Sequence, residues 1–230
     1  KQELLPYAAT PVYGRSADNI RGHRHVTSLL HRIRTDESGI LVCPTMSFDE
    51  RGHQPNHKIY YVKGCSGKGG LPESFYPTTE SFLGEGGSFT HPRAVYEGAP
   101  GCPPFTRIDG REAMGAFRFP TLILDPGEEA SYILMLGVAD QEEEIDQLFE
   151  KCNTADKTEA LLEETKAYWQ KKVNVGFHTG DRDFDNYMKW VCFQPFLRRL
   201  FGCSFLPHHD YGRGGRGWRD LWQDCLSLLL

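Results

Sequence analysis

The run AFRFPTLILDPGEEASYILMLGV, residues 116–138, decides how the chain is read, because the hydrophobic period changes directly after it. Ala116 to Leu124 and Ser131 to Val138 are apolar and β-prone. Between them Asp125-Pro126-Gly127 supplies turn chemistry with a mechanism: proline presets φ and glycine accepts φ > 0. The pattern predicts a hairpin. Near-continuous apolarity in SYILMLGV further predicts a central strand of a large sheet, covered on both faces.

Upstream, from Lys1 to about Gly115, short β-prone segments are broken by Gly, Pro, Asn and Asp: HVTSLLHRIR, SGILVCPTMSF, HKIYYVKG and SFLGEGGSFTHPRAVYEG. Short strands at that spacing predict an antiparallel sandwich or barrel. Downstream of Ala139 the period becomes helical. Gln141 to Cys152 places Ile145, Leu148 and Phe149 on one stripe, and Thr158 to Lys172 groups Leu161, Leu162, Tyr168 and Trp169. Acidic starts and lysine-rich ends suit the helix dipole, and Glu142 to Glu144 read as a solvated face. After an extended stretch, Val173 to Gly180, a third helix is expected over about Asp181 to Phe201, kinked at Pro195. Strands followed only by helices predict separate domains rather than alternating β and α. The expected division is a β-sandwich over 1–140, incomplete at its start, a helical linker over 141–180, and a further helical domain over 181–230.

Composition bounds the function. A formal net charge of −5 over 230 residues argues against a nucleic-acid binder, and no run of about 18 apolar residues exists to cross a membrane. Seven cysteines form no C-x-x-C pair and no Cys/His cluster, which fits free thiols in a reducing, cytoplasmic compartment better than a zinc site. The chain opens without Met and stops at Leu228-Leu229-Leu230, inside what reads as an unfinished buried helix, so a piece of a longer protein is expected.

The densest chemistry lies at residues 207–230, PHHDYGRGGRGWRDLWQDCLSLLL. Gly212, Gly214, Gly215 and Gly217 mark a shaped loop, and Asp220 with Gln223 three residues on resembles a capping box that starts a helix. A continuous helix would hold Arg219 and Asp224 about 140° apart. Starting it at Asp220 leaves Arg219 in the loop, able to turn toward the same cleft. Arg offers only donors and ionised Asp only acceptors, a pairing suited to a polyhydroxylated ligand. An ordinary ion pair between Arg219 and Asp220 or Asp224, holding the loop, is the competing reading.

Other motifs carry less. Gly212, Gly214 and Gly217 spell G-x-G-x-x-G but lack a βαβ setting, and GCSGKGG at 64–70 lacks the Walker spacing and reads as a flexible loop. The His23/His25, His53/His57 and His208/His209 pairs have no H-E-x-x-H spacing, and there is no G-x-S-x-G elbow.

Taken in order, SFLGEGGSFTHPRAVYEG, DPGEEASYILMLG, the helix ending near Trp169, DNYMKWVCFQ and GRGGRGWRDLWQD resemble the inverting glycoside phosphorylases of glycoside hydrolase family 94, which include relatives of cellobiose phosphorylase. The resemblance implies an N-terminal β-sandwich, a helical linker and an (α/α)6 barrel whose first helices occupy 181–230. It implies that Arg219, Asp220, Gln223 and Asp224 bind the glucosyl unit, with Arg219 and Asp224 on its hydroxyls. Trp222 stands where several relatives have a polar residue. It further implies an oligosaccharide and inorganic phosphate as co-substrates, no cofactor, a homodimer formed through the N-terminal domain, and a general-acid Asp in segments beyond Leu230. A non-catalytic carbohydrate-binding or dimer-forming module is the alternative.

Overall fold

The computed structural model describes residues 1–12, 24–49, 52–201 and Trp222. Two compact units are found, Lys1–Leu161 and Leu162–Leu230.

The first unit is built on two facing antiparallel sheets. The wider one orders its strands β12-β7-β4-β3-β9, where β3 is His31–Thr35, β4 Gly39–Pro44, β7 Ile59–Ser66, β9 Arg107–Asp109 and β12 Tyr132–Ala139. The narrower runs β2-β10-β8, with β2 Tyr7–Pro11, β8 Ser74–Thr78 and β10 Ala113–Arg118. Two small ribbons complete it: β1, Gln2–Leu4, pairs with β11, Leu122–Leu124, and β5, Met46–Asp49, pairs with β6, Gly52–Pro55.

Alternation decides what each face buries. Ile33, Ile40, Val42 and Val62 from the wide sheet meet Phe75, Ala113 and Phe117 from the narrow one in the central core. Phe75 and Phe117 pack edge to face at 5.8 Å, a geometry worth roughly 0.5–1.5 kcal/mol beyond area burial. The sheets approach closely at Gly115, where a Cβ would sit 2.6 Å from Val62 Cγ2. Any side chain there would push the layers apart.

The outer faces are covered as well. On the wide sheet, helix α4, Glu142–Cys152, buries Ile145 and Phe149, and Ile145 joins Leu41, Ile59, Tyr61 and Ala139. On the narrow sheet, α2, Thr79–Leu83, and α3, Arg93–Tyr96, bring Phe82, Leu83 and Ala94 onto Tyr76, Met114 and Ala116. A further short helix, α1, spans Arg24–Ser28. The second unit contains most of α5, Ala155–Lys172, and all of α6, Arg182–Phe201. Trp169 packs edge to face against Phe193 at 4.7 Å and Phe196 at 6.1 Å, pairing the two helices.

The strands-then-helices order is therefore present, with differences in detail. The stretch at 116–138 is not a hairpin: β10 pairs with β2 and β8, β11 with β1, and β12 with β7. Nor is β12 central. It lies at the edge of the wide sheet, and Leu134, Leu136 and Val138 are 40%, 56% and 54% exposed. SFLGEGGSFTHPRAVYEG forms α2 and α3 rather than strands, because the side chains of Thr78 and Ser81 cap each other's backbone N–H and start a helix that Gly84 ends at φ +84°. The first half of HVTSLLHRIR is α1, and its second half is β3. Leu148, expected on the buried stripe of α4, is exposed.

Candidate functional site

Arg219, Asp220, Gln223 and Asp224 lie outside the described residues, as do His208, His209 and the glycine-rich loop. Trp222 is helical and 62% exposed. What is described is the scaffold that leads toward that run. At the start of α6, Asp181 Oδ1 accepts the backbone N–H of Asp183 and of Phe184, satisfying donors that a first turn leaves orphaned. Asp185 accepts from Thr179 N–H and Oγ1–H, and those donors, the backbone one first, hold its carboxyl below the usual carboxylate range. The helix then continues through Pro195 to Phe201.

In the first unit the most unusual charged group is Lys63, which reasoning from sequence passed over. It is 2% exposed, yet its ammonium pairs with Asp36 and stands 3.6 Å from Asp146 of α4. Asp36 also accepts from Ser38 N–H, Ser38 Oγ–H and Gly39 N–H, so one carboxylate both shapes the β3–β4 turn and neutralises a lysine rooted in β7. Gly39 is required beside it, because a Cβ there would collide with the Val62 carbonyl. Arg34 pairs with Glu142 and Lys58 binds Asp140 at 2.6 Å, so Glu142 is tied to the sheet rather than merely solvated. These pairs fasten α4 to the wide sheet.

Burial disfavours the thiolate at four cysteines of the first unit. Burial pushes Cys65 up to about 11, and its Sγ donates to the Asn153 carbonyl at 3.3 Å. Burial also raises Cys43, Cys102 and Cys152. Nor is GCSGKGG a loose loop. Gly67 N–H donates to Ser131 O and Gly67 O accepts from Ala155 N–H, which ties the turn to the start of α5. Among the described residues, no group of three or more His, Cys, Asp or Glu is placed to hold a metal ion, and no helix is long and apolar enough to cross a membrane.

One titratable group carries a pH prediction. His31 is 4% exposed with Nδ1 unpartnered, and desolvation lowers its pKa below the ordinary 6.5, a backbone hydrogen bond at Arg111 acting the other way. The unfolded chain therefore binds the proton at higher pH than the folded one. Stability at this site is complete above about pH 6.5 and is lost as pH falls from there toward the lowered folded value. Chemical denaturation at a series of pH values should show that loss, and His31→Gln should show a flatter profile over the same window. An equal slope in both proteins would remove His31 as the cause.

Comparison with known families decides what this architecture is. Residues 7–155 match the family model described as Glycosyl hydrolase 94, supersandwich domain. The chain belongs to glycosyl hydrolase family 94. The matched residues fall within the first compact unit and take in both facing sheets and α4. No curated protein matches the chain.

Proposed function

We propose that this family 94 chain is part of an inverting glycoside phosphorylase, one that uses inorganic phosphate to cleave a β-linked gluco-oligosaccharide and releases a sugar 1-phosphate. The observation that carries the reading is the supersandwich match over residues 7–155. The R-D-x-x-Q-D run at 219–224, downstream of the matched sandwich, supports it. In this reading α6 begins an (α/α)6 barrel, and Arg219, Asp220, Gln223 and Asp224 form the rim that holds the donor glucosyl unit.

The chemistry needs one carboxylic acid rather than two. An inverting hydrolase requires an acid for the leaving oxygen and a base to activate water. Phosphate is already an anion and attacks the anomeric carbon without a base. The single acid protonates the leaving oxygen, and it is an Asp outside residues 1–230. What the rim supplies is orientation and hydrogen bonds to hydroxyls through the oxocarbenium-like transition state. No cofactor is required.

Incubating the polypeptide that carries this chain with a β-linked gluco-oligosaccharide, with and without phosphate, tests the reading. Sugar 1-phosphate of inverted anomeric configuration should form only when phosphate is present. Hydrolysis at the same rate without phosphate would overturn it.

A further inference from the structure

The turn that leads from α2 to α3 is firmly built and yet keeps its rings in water. Gly87 lies against the end of α2, where a Cβ would collide with the Leu83 carbonyl, and its N–H donates to Gly84 O at 3.2 Å. Ser88 and His91 then close a tight turn. His91 N–H donates to Ser88 O at 3.1 Å, and the Ser88 and Thr90 hydroxyls are bonded to each other at 2.8 Å. Beyond it Pro92 is buried, and Ala94, fully buried, seats α3 on the cluster beneath.

The apolar residues that fix this frame, Phe82, Leu83 and Ala94, are inside. The aromatic ones are not. Phe89 is 53% and Tyr96 61% exposed, and His91 is exposed as well. The rings of His91 and Tyr96 stack with centroids 3.7 Å apart and planes inclined by 19°. That stack covers one face of Tyr96, so exposure on this scale leaves the other face open. A lone exposed ring needs no explanation, but three within eight residues of an ordered turn form a surface that another molecule can cover.

Its polar neighbours select the kind of molecule. Arg93 Nε donates to Glu97 Oε2 at 2.7 Å, an exposed pair that flanks Tyr96 along the chain. The pair is electrically neutral, so it favours neither an anion nor a cation. Together with the Ser88 and Thr90 hydroxyls it offers both donors and acceptors. A flat, uncharged ligand fits, with C–H groups on its face for the ring and hydroxyls at its edge for the rim. A pyranose has that form, and the matched family is one of glycosyl hydrolases.

We propose that Tyr96, backed by His91, is a sugar-binding platform on the β-sandwich, with Phe89 as a second contact, and that it holds a long β-linked gluco-oligosaccharide. The choice of gluco-oligosaccharide rests on the phosphorylase reading. The platform itself rests on the rings and their rim, none of which belongs to the proposed donor site.

Calorimetric titration of the polypeptide that carries this chain tests it, without phosphate. The probes are long β-linked gluco-oligosaccharides that differ in linkage, with their disaccharides alongside. Wild type should bind a long chain, and Tyr96→Ala should weaken that binding about three- to tenfold, the range of one lost ring contact. Phe89→Ala should weaken it less. Tyr96→Phe keeps the ring and should bind as wild type does. Thermal melts should be unchanged in all three variants, because the substituted side chains are exposed. A wild-type protein that binds none of the long chains would overturn the proposal, as would Tyr96→Ala binding as tightly as wild type or Tyr96→Phe binding as weakly as Tyr96→Ala. Turnover with phosphate keeps the two readings apart. Loss of long-chain binding in Tyr96→Ala supports the platform even where wild type releases no sugar 1-phosphate, and full binding in Tyr96→Ala removes the platform even where it does.

Discussion

Asp36→Ala is expected to lose about 3–5 kcal/mol of folding stability, lowering Tm by roughly 6–20 °C for a chain of this size. The magnitude rests on what the substitution leaves behind. Lys63 is almost wholly buried in the wide sheet, and its other acidic neighbour, Asp146, is 3.6 Å away with a mostly exposed side chain. Without Asp36 the ammonium has no compensating group inside the fold, and an uncompensated buried charge costs far more than an intact pair contributes. Three hydrogen bonds that shape the β3–β4 turn go at the same time. Two further variants separate these causes. Asp36→Asn keeps an acceptor for the turn and removes the charge, so its loss reports on Lys63. Asp36→Ala with Lys63→Met removes both charges and should recover much of the loss, because no ion is left unpaired. Urea denaturation of the three proteins reads the differences. A loss below about 0.5 kcal/mol for Asp36→Asn, the range of an ordinary surface change, would show that Lys63 finds water or another partner.

The change of period after Ala139 made the order of strands and helices legible, and the helices follow it closely: α4 begins at Glu142 and α6 at Arg182. Which strand pairs with which was not legible. The Asp125-Pro126-Gly127 turn does form, with Glu128 N–H donating to Asp125 O at 3.0 Å and Gly127 at φ +87°. The strand on its N-terminal side, however, is the short β11, which takes β1 as its partner. Turn chemistry is local, whereas pairing is decided by which faces the whole sheet can bury. For the same reason the apolarity of SYILMLGV misled. An apolar row left open at a sheet edge and an apolar row already buried have the same composition, and only the count of strands in the facing sheet tells them apart.

Charged groups gave a similar lesson. Lys63 interrupts an otherwise uncharged strand, IYYVKGCS, and that interruption was the available signal, since lysine is almost never fully buried unless it is paired. Nothing in its neighbourhood along the chain names the partner, because Asp36 lies 27 residues away. His31 was equally silent, a lone histidine whose burial follows from its register opposite Pro44 on the inner face of β3. The reading of the glycine-rich run at 207–230 falls, Trp222 apart, outside the described residues and rests on the sequence alone. Its chemistry is contiguous in sequence, so residue types and spacing could be weighed without knowing the fold.

Asp224→Ala, in the polypeptide that carries this chain, should lower kcat/KM on the order of tenfold to several hundredfold. The proposed donor site assigns Arg219 and Asp224 to sugar hydroxyls in a setting poor in water. There a carboxylate makes charge-assisted hydrogen bonds worth roughly 1.5–3 kcal/mol each, and removing it leaves donors unpaired. Asp220→Asn should change kcat/KM much less if Asp220 chiefly caps the helix, because Asn caps about as well as Asp. The competing reading, a structural ion pair in the arginine loop, reverses the signature. Asp224→Ala would then lower Tm while the folded enzyme kept nearly its full kcat/KM. Steady-state kinetics and thermal melts on both variants separate the two readings, since a sugar contact moves the rate with little change in Tm and a loop brace moves Tm with little change in rate. An unchanged kcat/KM for Asp224→Ala would remove Asp224 from the donor site and leave Arg219 as the residue to test next.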